Sequence, residues 1–214
     1  MWVFLKVKKF KLNDRLVEMK ILEKILYKNI KYKNWYLKLY KPSPTQYAEY
    51  LKHHNILYSM GSDCYILPSA NITDPSYVRM GNNVMLSECT LLGHDGSIRM
   101  LNIAYNKRLD RVGKTDIKDN VFIGHGAIVM PNISIGPNAI IGAGSIVTKD
   151  VAEGVVVVGN PAKEVCKVDD LVTKLQNYTD TVPWSELIRN RQGAFDKKIE
   201  TELKKQRTQY FYNS

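Results

Sequence analysis

The sequence predicts an all-β core of short parallel strands wound into a three-sided prism, with α-helices on its N-terminal and C-terminal sides. Three observations predict it. Residues read every sixth position from Ile117 are aliphatic without exception: Ile117, Ile123, Val129, Ile135, Ile141 and Val147. The position after each is Gly in three of six cases, and the position four after is small or aliphatic throughout (Val121, Ala127, Ile133, Ala139, Ser145, Val151). From Gly61 to about residue 166 the chain also lacks long helical periodicity. A six-residue period cannot mark a helix face, and simple strand alternation would not hold glycine in one column. Hexads that each form one flat side, with the aliphatic residue inside and the small residue at the corner, satisfy both columns; three hexads complete a coil stacked by parallel hydrogen bonds.

Residues 1–60 read as a basic, aromatic-rich helical region. Its first 43 residues hold twelve Lys or Arg against three acids, a local charge of +9 out of a net +10, interleaved with Trp2, Phe4, Phe10, Tyr27, Tyr32, Trp35, Tyr36 and Tyr40. Leu16, Met19, Leu22, Ile25 and Leu26 fall at helical spacing and are expected to pack on the main body, leaving the lysines in water. The same mixture suits the surface of an anionic membrane, so peripheral contact is the competing reading. Nucleic acid is not expected, because arginine is sparse and no RNP-like or helix-turn-helix pattern occurs. Lys41-Pro-Ser-Pro-Thr45 ends this stretch, and Thr45 is the expected cap of a short helix through Tyr47, Tyr50 and Leu51 to His53 and His54.

Residues 61–166 form the predicted prism. An earlier register runs through Ile66, Ile72, Val78, Val84 and Thr90, out of phase with the register that starts at Ile117. The break between them reads as a loop, about residues 95–115, that leaves the prism wall. Residues 167–214 read as a helical extension, from Leu171, Val172 and Leu175 and a further helix beginning near Trp184.

A chain with 44% hydrophobic and 24% charged residues is not disordered, and three unpaired-looking cysteines (Cys64, Cys89, Cys166) suggest neither a disulfide framework nor a zinc site. No metal is expected. No apolar run approaches the ~18 residues of a membrane span, and the N-terminus lacks the order of a secretion signal. A cytoplasmic location follows, with peripheral attachment at the membrane's inner face as an option.

Three stretches carry a resemblance to a known family: Ile123-Gly-His-Gly-Ala-Ile-Val-Met-Pro131, then Ile135-Gly-Pro-Asn-Ala-Ile-Ile-Gly-Ala-Gly-Ser-Ile-Val-Thr-Lys-Asp150, then Val158-Gly-Asn-Pro-Ala-Lys163. Together they resemble the hexapeptide-repeat acyltransferases, and among them the sugar O-acetyltransferases of capsule and O-antigen synthesis, akin to the maltose and galactoside acetyltransferases. The resemblance spans roughly residues 60–166. It implies a left-handed parallel β-helix, a homotrimer, and acetyl-CoA held between neighbouring subunits so that each active site draws on two chains.

In that family's motif, Leu92-Gly93-His94-Asp95 carries the catalytic histidine. His94 is therefore the implied general base, since neutral imidazole can take the proton of an attacking sugar hydroxyl near pH 7. Asp95 is a candidate either to orient His94 or to bind the acceptor. His125 faces either the donor and acceptor or plain solvent. Arg99 and Tyr105, in the protruding loop with Lys107, Arg108 and Arg111, are acceptor candidates suited to an acidic sugar, a phosphate or a neighbouring chain. For the donor, the resemblance points to backbone groups of Gly124, Gly142 and Ala143, then Thr148 and Lys149, then Pro161 and Lys163, with the lysines as phosphate partners. The expected function is acetyl transfer from acetyl-CoA to a saccharide hydroxyl. The alternatives are N-acetylation of an amino-sugar nucleotide and, from another class, a non-catalytic assembly protein docking on membrane or polyanion.

Overall fold

The computed structural model describes residues 21–193 and 195–212. The chain divides into two compact units, Met1–Val165 and Cys166–Ser214.

In the first unit successive short strands join three parallel sheets in turn. The first sheet holds β1 (Ser59–Met60), β4 (Val78–Met80), β7 (Thr115–Ile117) and β10 (Ile133–Ile135). The second holds β2 (Tyr65–Ile66), β5 (Met85–Leu86), β8 (Val121–Ile123), β11 (Ala139–Ile141), β13 (Val155–Val158) and β14 (Lys163–Lys167). The third holds β3 (Asn71–Ile72), β6 (Thr90–Leu91), β9 (Ile128–Val129) and β12 (Ile146–Val147). Up to β12 each strand stacks on the one three before it, about 4.8 Å per rung, as three hexads per coil require; β13 then stacks on β11 and β14 on β13.

The registers show why the aliphatic column exists. Ile117 stacks on Ile135, Ile123 on Ile141, and Val129 on Val147, all buried in one core. The small column is buried too: Val121, Ala127, Ala139 and Ser145 are fully enclosed. Cys89 occupies the corner position aligned with Ala127, because Asn71 N–H and Thr90 N–H donate to their carbonyls in successive rungs. It is packed as a small apolar residue, and burial pushes its thiol up to about 11.

Two details of the expected register are corrected. The earlier set Ile66, Ile72, Val78, Val84, Thr90 follows the inner column only at Ile66 and Ile72. Its true continuation is Met80, Leu86 and Leu91, which pair with Ile117, Ile123 and Val129. A 3-10 turn at Pro75–Tyr77 adds two residues to one rung, and the turn before β6 is one residue shorter than a hexad. Val151 likewise bridges Ile135 and so belongs to the inner column instead of the corner.

Between β6 and β7 the chain leaves the wall, forms a helix at Ile98–Ala104, and returns through an antiparallel bridge between His94 and Val112. Ahead of the coil, residues 21–28 are helical and helices follow at Lys33–Tyr40 and Pro44–His53. Ser43, not Thr45, caps the last of these: its hydroxyl accepts from Gln46 N–H while the Gln46 side chain accepts from Ser43 N–H, with Pro44 opening the first turn. Leu16 and Met19 lie outside the described residues. Of the rest of the expected apolar face, Leu26 is buried, but Leu22 and Ile25 are exposed. Aromatic packing replaces them, with Tyr36 stacked on Tyr50 and Tyr27 edge-on to both. No described helix is long and apolar enough to cross a membrane.

The second unit contains helices Val168–Thr181, Ser185–Arg189 and Lys197–Tyr212. Its small core is Val182, Trp184 and Leu203, with Tyr210 and Phe211 edge-on to the indole.

Candidate functional site

The irregular rung and the excursion meet. β3 runs into Thr73 and Asp74, and β6 runs into Leu92, Gly93 and His94, so the two segments lie side by side at the corner between the third and first sheets. His94 Nδ1 donates to Asp74 Oδ2 at 2.6 Å. Thr73 Oγ1 donates to the same carboxylate oxygen at 2.9 Å and accepts from Gly93 N–H at 3.0 Å. On the far side, Gly113 N–H donates to Gly93 C=O and Asp95 N–H to Arg111 C=O. The His94 backbone is thus clamped between the Thr73 turn and the returning strand, while its side chain is half-exposed.

Gly93 is what permits this approach. A Cβ there would stand 2.4 Å from Asp74 Cβ and 2.7 Å from Asp74 Oδ2, far inside van der Waals contact. The hydrogen bond from His94 is also the main reason the Asp74 carboxyl is held below its ordinary range. An ionised Asp74 can only accept, so Nδ1 carries a proton and a neutral imidazole presents the Nε2 lone pair outward. That is the tautomer a general base requires.

Asp95 does not orient His94. Its carboxylate accepts from Ser97 N–H at 3.0 Å and Ser97 Oγ at 2.7 Å, which starts the excursion helix, and these bonds lower its pKa. The orienting carboxylate is Asp74, twenty residues upstream, and sequence spacing held no signal for it. Arg99 is exposed and Tyr105 is exposed at the C-terminal end of the excursion helix. His125 is exposed, its Nδ1 3.9 Å from Glu88 Oε2.

The donor candidates fall at two places. Gly124, His125, Gly142 and Ala143 share the corner between the second and third sheets, on adjacent rungs. Here the glycines serve rung stacking: a Cβ on Gly124 would lie 2.6 Å from Ala143 N. Gly124 N–H and Gly142 N–H donate to Ile141 C=O and Val157 C=O, so of the three only Ala143 has an N–H left to offer a ligand. The corner nevertheless suits an extended chain, since Ala143 is exposed and a Cβ on Gly144 would meet nothing within 4 Å. Thr148 and Lys149 follow β12 at the corner that also carries His94, and both are exposed. Pro161 and Lys163 are exposed beyond β13, where Ala162 N–H donates to Ile146 C=O. Within one chain, His94 and the Gly124–Ala143 corner therefore occupy opposite edges of the third sheet.

The sequence also matches known proteins. The profile "Bacterial transferase hexapeptide (six repeats)" matches residues 114–149. Protein CapG of Staphylococcus aureus is 32% identical over 134 residues, which cover 59% of this chain and 77% of that protein. The galactoside O-acetyltransferase of Lactococcus lactis is 32% identical over 133 residues, 60% of this chain and 61% of the enzyme. The solved complex of galactoside acetyltransferase with coenzyme A aligns with a TM-score of 0.46 and 21% identity, over 75% of this chain and 86% of that one. The chain belongs to the hexapeptide-repeat transferases. It spans about half the length of the first curated relatives it matches.

Proposed function

We propose that this protein is an acetyl-CoA-dependent O-acetyltransferase that acetylates a saccharide hydroxyl, as in capsular polysaccharide or O-antigen synthesis, with His94 as general base. The observation that carries the reading is the 2.6 Å bond from His94 Nδ1 to Asp74, which engages Nδ1 and leaves Nε2 as the ring nitrogen that can act on a substrate. The base takes the hydroxyl proton as the sugar oxygen attacks the thioester carbonyl. Collapse of the tetrahedral adduct expels the CoA thiolate, which recovers the proton from the imidazolium. No covalent enzyme intermediate is needed, and Asp74 stabilises the transient imidazolium. The name of the Lactococcus relative supports sugar O-acetylation.

In this reading the coil is left-handed and the working form is a homotrimer. The separation of His94 from the Gly124–Ala143 corner supports it, because a neighbour's corner must then complete each site. Ala143 would offer a backbone donor to the pantetheine arm; Thr148, Lys149, Pro161 and Lys163 would meet the nucleotide end. Asp95, Arg99, Tyr105 and His125 remain candidates for the acceptor side. Exposed Trp35 and Leu39, one helical turn apart beside Lys31 and Lys38, support peripheral contact of a cytoplasmic enzyme with anionic lipid.

The test is thiol release from acetyl-CoA by wild type and His94→Ala with neutral, acidic and amino-sugar acceptors. Hydroxyl-acceptor-dependent release that disappears in the variant is the expected result. Release with amino sugars alone would replace oxygen by nitrogen chemistry, and absence of both release and acyl-CoA binding would favour an assembly role.

A further inference from the structure

A cleft of about 310 Å³ opens on the first sheet, lined by Tyr58, Ser76, Tyr77, Arg79, Lys114 and Asp116. It shares Arg79 and Asp116 with a wider groove of about 660 Å³ that continues along the same sheet. Its position follows from the chain path. Ser76 lies two residues after Asp74, and Lys114 lies two residues after Val112, the bridge partner of His94. Two residues span at most about 7 Å, so the segments that line the cleft continue directly from those that carry Asp74 and the bridge partner of His94.

Its chemistry is specific. Tyr58 and Tyr77 are exposed, 74% and 49%, although a β-coil wall offers no packing reason to display two large aromatic rings. Exposed aromatic faces pack against the apolar C–H faces of pyranose rings. Arg79 Nε donates to Asp116 Oδ1 at 2.8 Å, and a second guanidinium nitrogen reaches Oδ2. Lys118 Nζ holds the same Oδ2 at 2.9 Å. The buried Asp116 carboxylate thereby fixes the Arg79 plane while its own charge is fully answered. Lys114 is exposed and, among the described residues, makes no ion pair. The cleft therefore carries a positive excess beside two aromatic rings.

Resting on the acetyltransferase reading above, we infer that this cleft is the acceptor subsite and that the acceptor is an anionic saccharide, its ring against Tyr58 and Tyr77 and its carboxylate or phosphate on Lys114 and Arg79. None of these residues carries a sequence motif; the excursion residues Arg99 and Tyr105 are the ones that sequence reasoning favours.

The experiment compares wild type with Lys114→Ala and Tyr77→Ala, both surface changes that leave the rung hydrogen bonds in place. Acceptors are a hexuronate-containing oligosaccharide, its carboxyl-reduced counterpart, and a hexose 1-phosphate. Lys114→Ala is expected to raise KM for the acidic acceptors about tenfold, the worth of one charge-assisted contact, with KM for acetyl-CoA and for the reduced acceptor unchanged. Tyr77→Ala is expected to weaken charged and neutral rings alike. Preference of wild type for uronate or for phosphate assigns the anion. A rise in KM for acetyl-CoA in place of the acceptor, equal loss for charged and reduced acceptors in Lys114→Ala, or no change in either variant overturns the proposal.

Calorimetric titration of the hexuronate oligosaccharide into His94→Ala protein separates this inference from the catalytic one. Binding that Lys114→Ala weakens about tenfold supports the cleft even if no acceptor is ever acetylated. Absence of binding to any of the anionic saccharides overturns it even if transfer to neutral sugars occurs.

Discussion

Gly93→Ala is the sharpest perturbation of the His94–Asp74 pair, because it adds a single methyl group that presses on the Asp74 carboxylate and removes no functional group. The new Cβ would lie 2.4 Å from Asp74 Cβ, 2.7 Å from Oδ2 and 2.9 Å from Cγ. Ordinary carbon contacts begin near 3.4 Å, so Asp74 must retreat by roughly 1 Å. The bond to His94 is 2.6 Å long, and a retreat of that size takes it out of hydrogen-bond range. Overpacking of this kind costs about 1–3 kcal/mol, and a misplacement of about 1 Å in a catalytic group costs on the order of 10²-fold in rate. Melting temperature and acetyl transfer with a fixed acceptor measure the two effects. The stability loss should shrink when Asp74→Gly is introduced into the same chain, since the clashing atoms are then gone, giving a coupling of about 1 kcal/mol or more. Unchanged melting and a kcat within twofold of wild type would refute the reasoning, as would stability losses that simply add in the double variant.

Asp74→Asn should lower kcat while sparing KM for acetyl-CoA, because the amide no longer compels Nδ1 to carry the proton; steady-state kinetics with each substrate varied checks it. Gly124→Ala should destabilise the coil by about 2 kcal/mol or more in chemical denaturation, since its Cβ would press on the Ala143 backbone at 2.6 Å and backbone cannot rotate away. Asp116 is held at about 2, chiefly by its hydrogen bond from Arg79, so its folded pKa lies below the unfolded one. Its stabilisation is then present above about pH 4 and lost as pH falls toward 2, worth about 2 kcal/mol. Acid unfolding followed by circular dichroism should show Asp116→Asn less stable at pH 7 and nearly level with wild type near pH 2. Cys64 and Cys89 are raised by burial, so a thiol reagent at pH 8 should label both only as fast as the protein opens, and denaturant should accelerate that labelling.

The legible part of this fold is the part that repeats. Where every rung has six residues per side, burial acts identically on each, and Ile117 through Val147 could be ordered into one column without coordinates. The illegible part is where a side has the wrong length. The two extra residues of the Pro75–Tyr77 turn moved the inner column from Val78 to Met80, and the short turn before β6 moved it again to Leu91. Counting sixes across such slips assigns inward and outward faces wrongly. Asp74 stands at the first slip, and His94 at the point where the chain leaves the coil, so their 2.6 Å contact joins two departures from periodicity. That coincidence has a physical cause. A regular rung turns its backbone groups into ladder bonds and its side chains into core or simple solvent-facing rows, as Gly124 and Gly142 illustrate with N–H groups already committed to the next rung. A carboxylate can be brought edge-on to an imidazole only where one rung bulges past the next. A glycine such as Gly93 must stand between them, because any side chain there would fill the space in which the pair meets.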